Sequence, residues 1–212
     1  GTREMGISFS CPVASDIMWN LIDPFDFVSD LNDLPPSLNE IDAELYFKLL
    51  RARSKAYDIV QNKEMPVSQR LLALLHFAAA LQQEINPYDE GFGQTPFFDV
   101  FLNPEVINHE WVEKVKNHRA KPLFPNDKVC ENTAMYFLFR YFLTAVEDRD
   151  VLSKVKMAVI GVLIPAYFGN DSWTVHLWSK ETEHSDINMN RYKKELRCNA
   201  NLSVKALAEH LF

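Results

Sequence analysis

A dense group of polar side chains near the end of the chain carries the residue types most able to do chemistry. Residues 176–190 include two glutamates, two histidines, an aspartate and two asparagines, where a solvated helix would favour Lys, Glu, Ala and Leu. Ser185-Asp186 is typical of a helix N-cap, so this span should end one helix and begin the next. Such a span is either a hydrogen-bonded corner between helices or part of a site.

The composition indicates a folded domain without a glycine-rich nucleotide loop. The chain has 212 residues, of which 47% are hydrophobic and 12% aromatic, enough for a substantial core. Only 6 residues are glycine. No G-x-G-x-x-G or G-x-x-x-x-G-K-[ST] pattern occurs, so nucleotide folds of those two classes have no support.

The charge distribution argues against nucleic acid as a partner. The formal net charge is −7, from 22 Lys+Arg and 29 Asp+Glu. A surface that binds a duplex needs a basic stripe. The one short basic group is better interpreted as a solvated helix face, and it consists of Arg191, Lys193, Lys194 and Arg197.

Cysteines and apolar runs favour a cytoplasmic protein. Cys11, Cys130 and Cys198 are odd in number and widely spaced, which fits neither a disulfide framework nor a C-x-x-C metal site. A reducing cytoplasm is therefore expected. The longest apolar run, Met157–Phe168, is too short to span a bilayer and contains Pro165, so it is predicted to be a core helix. No signal peptide is recognisable, and a start at Gly1 suggests a fragment.

Hydrophobic periodicity predicts helices along most of the chain. The first is a short amphipathic helix after Pro12, and the second runs from Ile41 to about Gln61. Another starts at Pro66 and ends at Asn86-Pro87, because the residue before a proline avoids helical ψ. Further helices are predicted at Glu110–Lys116, from Asn126 or Asp127 to about Val146, after Asp150, and from Ser203 to Leu211.

These patterns predict one all-α domain, an irregular multi-helix bundle with long loops near residues 23–39 and 87–108. No segment alternates with period two over a useful length. The helix centred on Met135–Leu143 is apolar nearly all round, which places it in the middle of the bundle. Phe92, Phe97, Phe98 and Phe101 in the second loop should pack as a satellite core, or else form a pocket wall or docking patch.

Three blocks of sequence carry a resemblance to a known family. The first is Gly6–Ala14, which contains Cys11-Pro12. The second is Glu131-Asn132 followed by the aromatic run 136–142, with the helix Lys154–Val159 after it. The third is Ser179–Asn188. In order and approximate spacing, these blocks resemble the flagellin lysine N-methylases of bacteria, over about residues 6–196. Members of that family carry a cysteine-rich region ahead of the first block, and this chain lacks it.

The resemblance implies a lysine N-methyltransferase with S-adenosylmethionine as methyl donor and flagellin as substrate. The missing cysteine-rich region looks suited to an iron–sulfur cluster, with Cys11 at its trailing edge, so this chain is expected to be the C-terminal helical part of a longer protein. Methyl transfer requires a neutral lysine amine held in line with the donor. The catalytic candidates that would attract the lysine and take its proton are Glu181, Glu183, His184 and Asp186, and the substrate-binding candidates are Glu131, Asn132, Tyr136, Arg140 and Tyr141.

Several of the candidate residues also have a structural interpretation. His184 could serve as a cap or as a core hydrogen-bonding group, and Glu131-Asn132 could cap a helix N-terminus. Arg140 lies in an apolar helix, so it needs a partner such as Glu131 or another carboxylate. Cys11 could be a single buried thiol.

Two other classes of function stay open on the sequence. The first is a non-catalytic helical interaction module, whose acidic surface recognises a basic or lysine-bearing partner. The second is a metal-binding bundle that uses His176, His184 and the neighbouring glutamates. The metal bundle ranks last, because Glu-x-His does not provide the i, i+4 spacing that helical metal ligands prefer.

Overall fold

The computed structural model describes residues 42–88, 91–102, 105–116, 118–169 and 171–212. Several predictions concern residues outside these ranges. They are the amphipathic helix after Pro12, the loop near residues 23–39 and the role of Cys11.

The described chain is all-α, as the sequence predicts. Its helices are α1 (Ala43–Gln61), α2 (Val67–Ile85), α3 (Phe97–Phe101), α4 (His109–Val115), α5 (Asp127–Tyr141), α6 (Ala145–Asp148), α7 (Val151–Ala166), α8 (Ser172–Glu183), α9 (Asp186–Cys198) and α10 (Val204–Leu211), with 3₁₀ turns at Phe142–Thr144 and Ala200–Leu202. Within the described ranges the one β-type pairing is an isolated parallel bridge between Gly93 and Asn199.

Helix starts follow the capping residues in the sequence. The side chain of Asn126 accepts a hydrogen bond from the N–H of Val129, which begins α5. Asp150, Ser185 and Ser203 cap α7, α9 and α10 in the same way. Each cap satisfies a backbone donor that has no partner inside its helix, so these predicted boundaries are confirmed.

Helix α7 forms the centre of the bundle. Every residue from Val151 to Ala166 is buried, and α7 packs most extensively against α5 and α2 while also contacting α8 and α9. The run Met157–Phe168 is thus confirmed as a core helix up to Ala166. The prediction that placed Met135–Leu143 in the middle is confirmed for its first part, where residues 135–138 are buried, and corrected at its end, where Arg140 is exposed and Tyr141 only half-buried. An apolar stretch at the end of a helix can lie at the edge of the core as well as in its middle.

A glycine sets the distance between α5 and α7. A Cβ atom added to Gly161 would lie 2.5 Å from the ring of Phe137, closer than side chains tolerate. The absence of a side chain there allows the ring of Phe137 to pack directly on the backbone of α7. The same close approach fixes the position of α5, which carries several of the candidate site residues.

Most of the aromatic side chains in the second predicted loop, residues 87–108, pack on the bundle. It contains the short helix α3, in which Phe97 and Phe101 are buried. Phe92, in contrast, is 89% exposed. The buried phenylalanines of α3 therefore belong to the main core and not to the predicted separate satellite core, and Phe92 lies outside the core.

None of the helices in the described ranges is long and apolar enough to cross a membrane. Of the cysteines in those ranges, Cys130 is buried and Cys198 is exposed, and neither forms a disulfide.

Candidate functional site

The carboxylate of Glu183 is the centre of the most concentrated group of predicted site residues. Its side chain is completely buried at the end of α8. It accepts hydrogen bonds from the hydroxyl of Tyr136 at 2.6 Å, from the hydroxyl of Ser179 at 2.8 Å, and from the hydroxyl of Tyr141. The Nε of Arg140 lies 2.7 Å from the same carboxylate. We call these five residues the Glu183 cluster.

Helical spacing brings the cluster together. Tyr136 and Arg140 are four residues apart on α5, so their side chains leave the same face of the helix, and Tyr141 adjoins them. Ser179 and Glu183 have the same separation on α8. The cluster therefore joins the ends of two helices that come from two different blocks of the family resemblance.

The electrostatics of the cluster keep its tyrosines protonated. Burial, and then the negative charge of Glu183, raise the pKa of both Tyr136 and Tyr141 above their ordinary value. Partial burial lowers the pKa of Arg140, but the Glu183 carboxylate together with Tyr136 and Tyr141 raises that pKa above its ordinary value. At neutral pH the carboxylate is thus surrounded by two phenol donors and one guanidinium cation.

Arg140 is the part of the cluster that reaches the surface. Its side chain is 40% exposed, whereas that of Glu183 is fully buried. Arg140 also donates a hydrogen bond to the hydroxyl of Tyr141 at 3.1 Å. The carboxylate partner predicted for this arginine is therefore Glu183 and not Glu131.

A small cavity adjoins the cluster at Tyr141. Its volume is about 230 Å³, and it lies between α7 and α9. Besides Tyr141, it is lined by Asp148, Asp150, Ser153, Lys154, Met157, Met189, Lys193, Lys194, Leu196 and Arg197. The four cations outnumber the two carboxylates, although the whole chain is acidic. This cavity favours an anionic group over a free lysine side chain.

The two carboxylates of the cavity are already paired. Asp148 forms an ion pair with Lys154, and Asp150 lies 3.8 Å from Arg197. Asp150 also accepts a hydrogen bond from the N–H of Ser153 at 3.0 Å, which caps α7. The exposed Lys193 and Lys194 form no ion pair within the described ranges, so they are the cations available to a ligand.

Glu181 belongs to a different set of contacts from Glu183. It is fully buried, and its carboxylate accepts hydrogen bonds from the backbone N–H groups of Ile107 and Asn108, at 3.0 Å and 2.5 Å. Its carbonyl oxygen accepts from the side-chain amide of Asn188 at 2.7 Å. Glu181 thus holds the end of the loop before α4 against the α8–α9 junction.

His184 and Asp186 lie at that same junction, and both are exposed. The backbone N–H of His184 donates to the carbonyl of Lys180 at 3.2 Å and ends α8. Ser185 caps α9 and also donates to the carboxylate of Glu105. The polar span 176–190 is therefore both a hydrogen-bonded helix corner and, through Glu183, a part of the candidate site.

Glu131 and Asn132 lie outside the cluster. The buried carboxylate of Glu131 forms ion pairs with Lys63 and Lys128, and Arg70 is 4.0 Å away. Asn132 is buried, and its Oδ1 has no hydrogen-bond partner within the described ranges. Both residues sit near the beginning of α5, while the Glu183 cluster is at its end.

Three residues of this region carried weak signals in the sequence. Ser179 was identifiable only by its i, i+4 spacing to Glu183. Lys154 and Lys156 interrupt an otherwise apolar helix, and such an interruption indicates a specific partner. Lys156 is fully buried and donates to the carbonyl of Leu196 at 3.1 Å. It connects the core helix to α9 just behind the cavity.

The expected cofactors fit the described residues only in part. The cavity is smaller than the roughly 300 Å³ at which sites for drug-sized ligands begin, so it would hold only one end of S-adenosylmethionine. Its lysines suit the carboxylate of that molecule. No group of three or more His, Cys, Asp or Glu in the described ranges is arranged to hold a metal ion, so these ranges do not fit an iron–sulfur cluster or the metal-bundle alternative.

No protein-family model, curated protein or solved structure matches this chain. The function therefore has to be inferred from the residues of the site and from the sequence resemblance.

Proposed function

We propose that this chain is the C-terminal helical part of a lysine N-methyltransferase that methylates flagellin with S-adenosylmethionine. The observation that supports this proposal is the meeting of two resemblance blocks at one buried carboxylate. Tyr136, Arg140 and Tyr141 come from the second block, Glu183 comes from the third, and their side chains are in direct contact.

The cluster offers a place for a lysine ammonium group. Arg140 is the exposed donor of the cluster, and it brings one positive charge to the Glu183 carboxylate. A substrate ammonium that takes the place of this guanidinium preserves the charge balance of the buried site, because one cation replaces another. The tyrosine hydroxyls keep their hydrogen bonds during this exchange. In the absence of substrate, the Arg140 guanidinium then occupies the position that the lysine ammonium takes when the substrate binds.

The buried carboxylate can also generate the neutral amine that methyl transfer needs. In a site with little water, proton transfer from the ammonium to Glu183 gives a neutral pair, and burial favours the neutral form of both groups. When bound, S-adenosylmethionine would supply the methyl group for the amine nitrogen, with its own sulfur–carbon bond broken and the sulfur as the leaving group. Tyr136 and Tyr141 would fix the orientation of the carboxylate throughout.

The cavity next to Tyr141 would bind the carboxylate end of the methyl donor through Lys193 and Lys194. Because the cavity is only about 230 Å³, the rest of the donor would contact other parts of the protein. Binding of only one end of the methyl donor by this cavity agrees with the expectation that a longer protein forms the complete enzyme.

The deciding experiment is a methyl-transfer assay with labelled S-adenosylmethionine and purified flagellin, on this chain and on a parent that extends upstream. We expect Glu183→Gln to reduce transfer by about 100-fold in whichever form is active, the usual scale for a lost general base. Glu209→Gln, an exposed carboxamide substitution on α10, is the matched control and should leave transfer unchanged.

Arg140→Ala provides a second, independent readout. If the guanidinium occupies the place of the substrate ammonium, its removal lowers KM for the lysine substrate without lowering kcat. A fall in kcat with unchanged KM would mean that Arg140 orients the Glu183 carboxylate and does not occupy the position of the substrate ammonium. Full activity of Glu183→Gln would end the proposal for this cluster.

The complete hydrogen bonding of Glu183 also favours a second candidate, a non-catalytic helical module. With a net charge of −7, such a module would bind a lysine-bearing partner without modifying it. Binding of flagellin by both forms, without methyl transfer by either, would support this candidate. Transfer by the parent alone would make the present chain its substrate-holding part.

A further inference from the structure

A wide groove lies on the outer face of α1 and α2, on helices that contribute nothing to the Glu183 cluster. Its volume is about 930 Å³. The apolar side chains that line it are Leu45, Phe47, Ala52, Phe77, Ala80, Leu81 and Ile85. Phe47, Phe77 and Ile85 are only half-buried, so each leaves apolar surface in water. A contiguous apolar surface of this kind is typical of a binding groove.

One stretch of the rim carries cations that have no ion-pair partner among the described residues. Lys48 lies 3.0 Å from Glu84, and Arg149 lies 3.0 Å from Asp42, so these cations are paired. Arg51 and Lys55 also line the groove, four residues apart and therefore on one side of α1. Neither forms an ion pair within the described part of the chain. Glu44 also lines the groove, so its charged side chains are four cations and three carboxylates. The part around Arg51 and Lys55 fits an occupant that is apolar on one side and acidic.

The beginning of the chain has this chemistry. Between Arg3 and Lys48 there is no lysine or arginine, and residues 5–41 carry six acidic residues, Asp16, Asp23, Asp26, Asp30, Asp33 and Glu40. Within this segment the apolar residues Val13, Ile17 and Leu21 recur at i, i+4 and i+8, with Met18 and Ile22 beside them. That spacing predicts a single apolar stripe, which is what a helix needs in order to lie in a groove.

Chain connectivity places this segment next to the groove. Asp42, which directly follows the segment, lines the groove itself. The connection formed by residues 23–41 can extend over about 60 Å, whereas α1 is only about 28 Å long. The stripe can therefore reach every part of the groove. Because the segment and the groove belong to one chain, the effective concentration of the segment at the groove is on the order of millimolar, so even weak contacts suffice for docking.

We propose that the N-terminal segment of this chain docks in the α1–α2 groove. Its apolar stripe, centred on Ile17, covers Phe47 and Phe77, and its carboxylates neutralise Arg51 and Lys55. The docking is intramolecular and does not depend on the methyl-transfer proposal. It would also carry the Cys11 block to the side of the bundle formed by α1 and α2.

Hydrogen–deuterium exchange on the whole chain tests this assignment. We expect residues 13–22 to be protected in the unmodified protein. The double substitution Arg51→Glu/Lys55→Glu should speed their exchange by about tenfold, the scale of losing two partly exposed charge pairs. Ala80→Trp, which fills the groove at an exposed position, should do the same by steric exclusion. Lys193→Glu/Lys194→Glu on α9 makes the same charge change away from the groove and should leave the exchange unchanged.

The other outcomes overturn the proposal. Exchange of residues 13–22 at the rate of an unstructured peptide in the unmodified protein would show that the segment does not dock. Equal acceleration by the α9 control would show that only net charge matters. Protection that increases with protein concentration, together with a dimeric mass by light scattering, would mean that the segment of a second copy occupies the groove. Unchanged exchange in α7 verifies in each variant that the bundle remains folded.

Discussion

Glu181 and Glu183 lie two residues apart on one helix, and both side chains are fully buried, yet their donors differ in kind. Glu181 accepts from the backbone N–H groups of Ile107 and Asn108. Glu183 accepts from hydroxyl groups and from the guanidinium of Arg140. One carboxylate is fixed by the main chain, and the other is surrounded by side chains that can rotate.

This difference separates a structural carboxylate from one suited to exchange its partner. A backbone N–H can only donate, so it cannot adapt when its acceptor is lost. A hydroxyl can both donate and accept, and Arg140 can swing into solvent from its exposed position. Burial alone therefore does not distinguish the two glutamates, while the identity of their donors does.

The largest effect is expected from Glu181→Gln. The new amide group would turn a donor toward the N–H of Ile107 or Asn108 and leave it without an acceptor, which costs about 2–3 kcal/mol for a lost charged acceptor. Urea unfolding measures the change in the free energy of unfolding. Hydrogen exchange should also become faster in the loop before α4. A loss below about 1 kcal/mol would show that the loop holds without this anchor.

The sequence predicts the all-α fold and the helix starts well because both depend on local signals, whereas α5 ends earlier than expected, at Tyr141. Periodicity and capping residues, such as Asn126 and Ser185, mark helices one turn at a time. Local signals do not show which helix lies at the centre of the bundle, because α5 and α7 are both strongly apolar. Only their packing, with Phe137 against Gly161, shows which one is buried on all sides.

The candidate site is predicted in part. Family resemblance selects Glu183 together with Tyr136, Arg140 and Tyr141, and these four do come together. It also selects Glu181, whose position on the same helix gives no hint that its donors would come from a distant loop. Contacts between residues more than seventy positions apart, such as Ile107 with Glu181, have no signature in a single sequence.

Gly161→Ala should disturb the packing of α5 against α7, and with it the Glu183 cluster that α5 helps to form. Gly161→Ala places a Cβ against the ring of Phe137 and pushes α5 away from α7, which we expect to cost about 2 kcal/mol, the middle of the range for overpacked cores. The same unfolding assay measures this loss. Gly169→Ala provides a comparison at a glycine where an added Cβ would meet other side chains only at ordinary contact distances, 3.8 Å or more, although its positive φ adds strain. Equal stability of Gly161→Ala and the unmodified protein would mean that α5 can move without penalty.

Glu183→Gln should reduce stability less than Glu181→Gln does, by about 1 kcal/mol. The hydroxyls of Tyr136, Tyr141 and Ser179 can reorient to accept from the new amide, and the partly exposed Arg140 regains water. Urea unfolding of the two variants side by side is the measurement. An equal or greater loss in Glu183→Gln would mean that the cluster is as rigid as the backbone anchor, which would weaken the idea that Arg140 exchanges with a substrate.

The pH dependence of stability should reveal the buried tyrosines. An unfolded tyrosine ionises near pH 10, whereas the folded protein keeps the proton on Tyr141 because its pKa is raised by burial and by Glu183. The stability from this group is thus fully present below pH 10 and is lost as the pH rises further. At pH 10.5 the part of this loss that comes from Tyr141 is about 0.8 kcal/mol. The Tyr141→Phe variant should therefore lose about 0.8 kcal/mol less stability than the unmodified protein between pH 8 and pH 10.5. Unfolding at pH 8 and pH 10.5 measures it, with Tyr46→Phe on α1 as the control. An equal loss in both variants would contradict the assignment.

The smallest stability effect is expected at His184, which is exposed beside the buried Glu183. Replacement by alanine leaves the backbone hydrogen bond to Lys180 in place, so the free energy of unfolding should change by less than about 0.5 kcal/mol. Activity then distinguishes the roles of these two neighbours. If Glu183 accepts the proton of the lysine, His184→Ala retains most of the methyl transfer. A complete loss of transfer with intact stability would assign proton acceptance to the exposed imidazole, and would leave the buried carboxylate as the group that orients it.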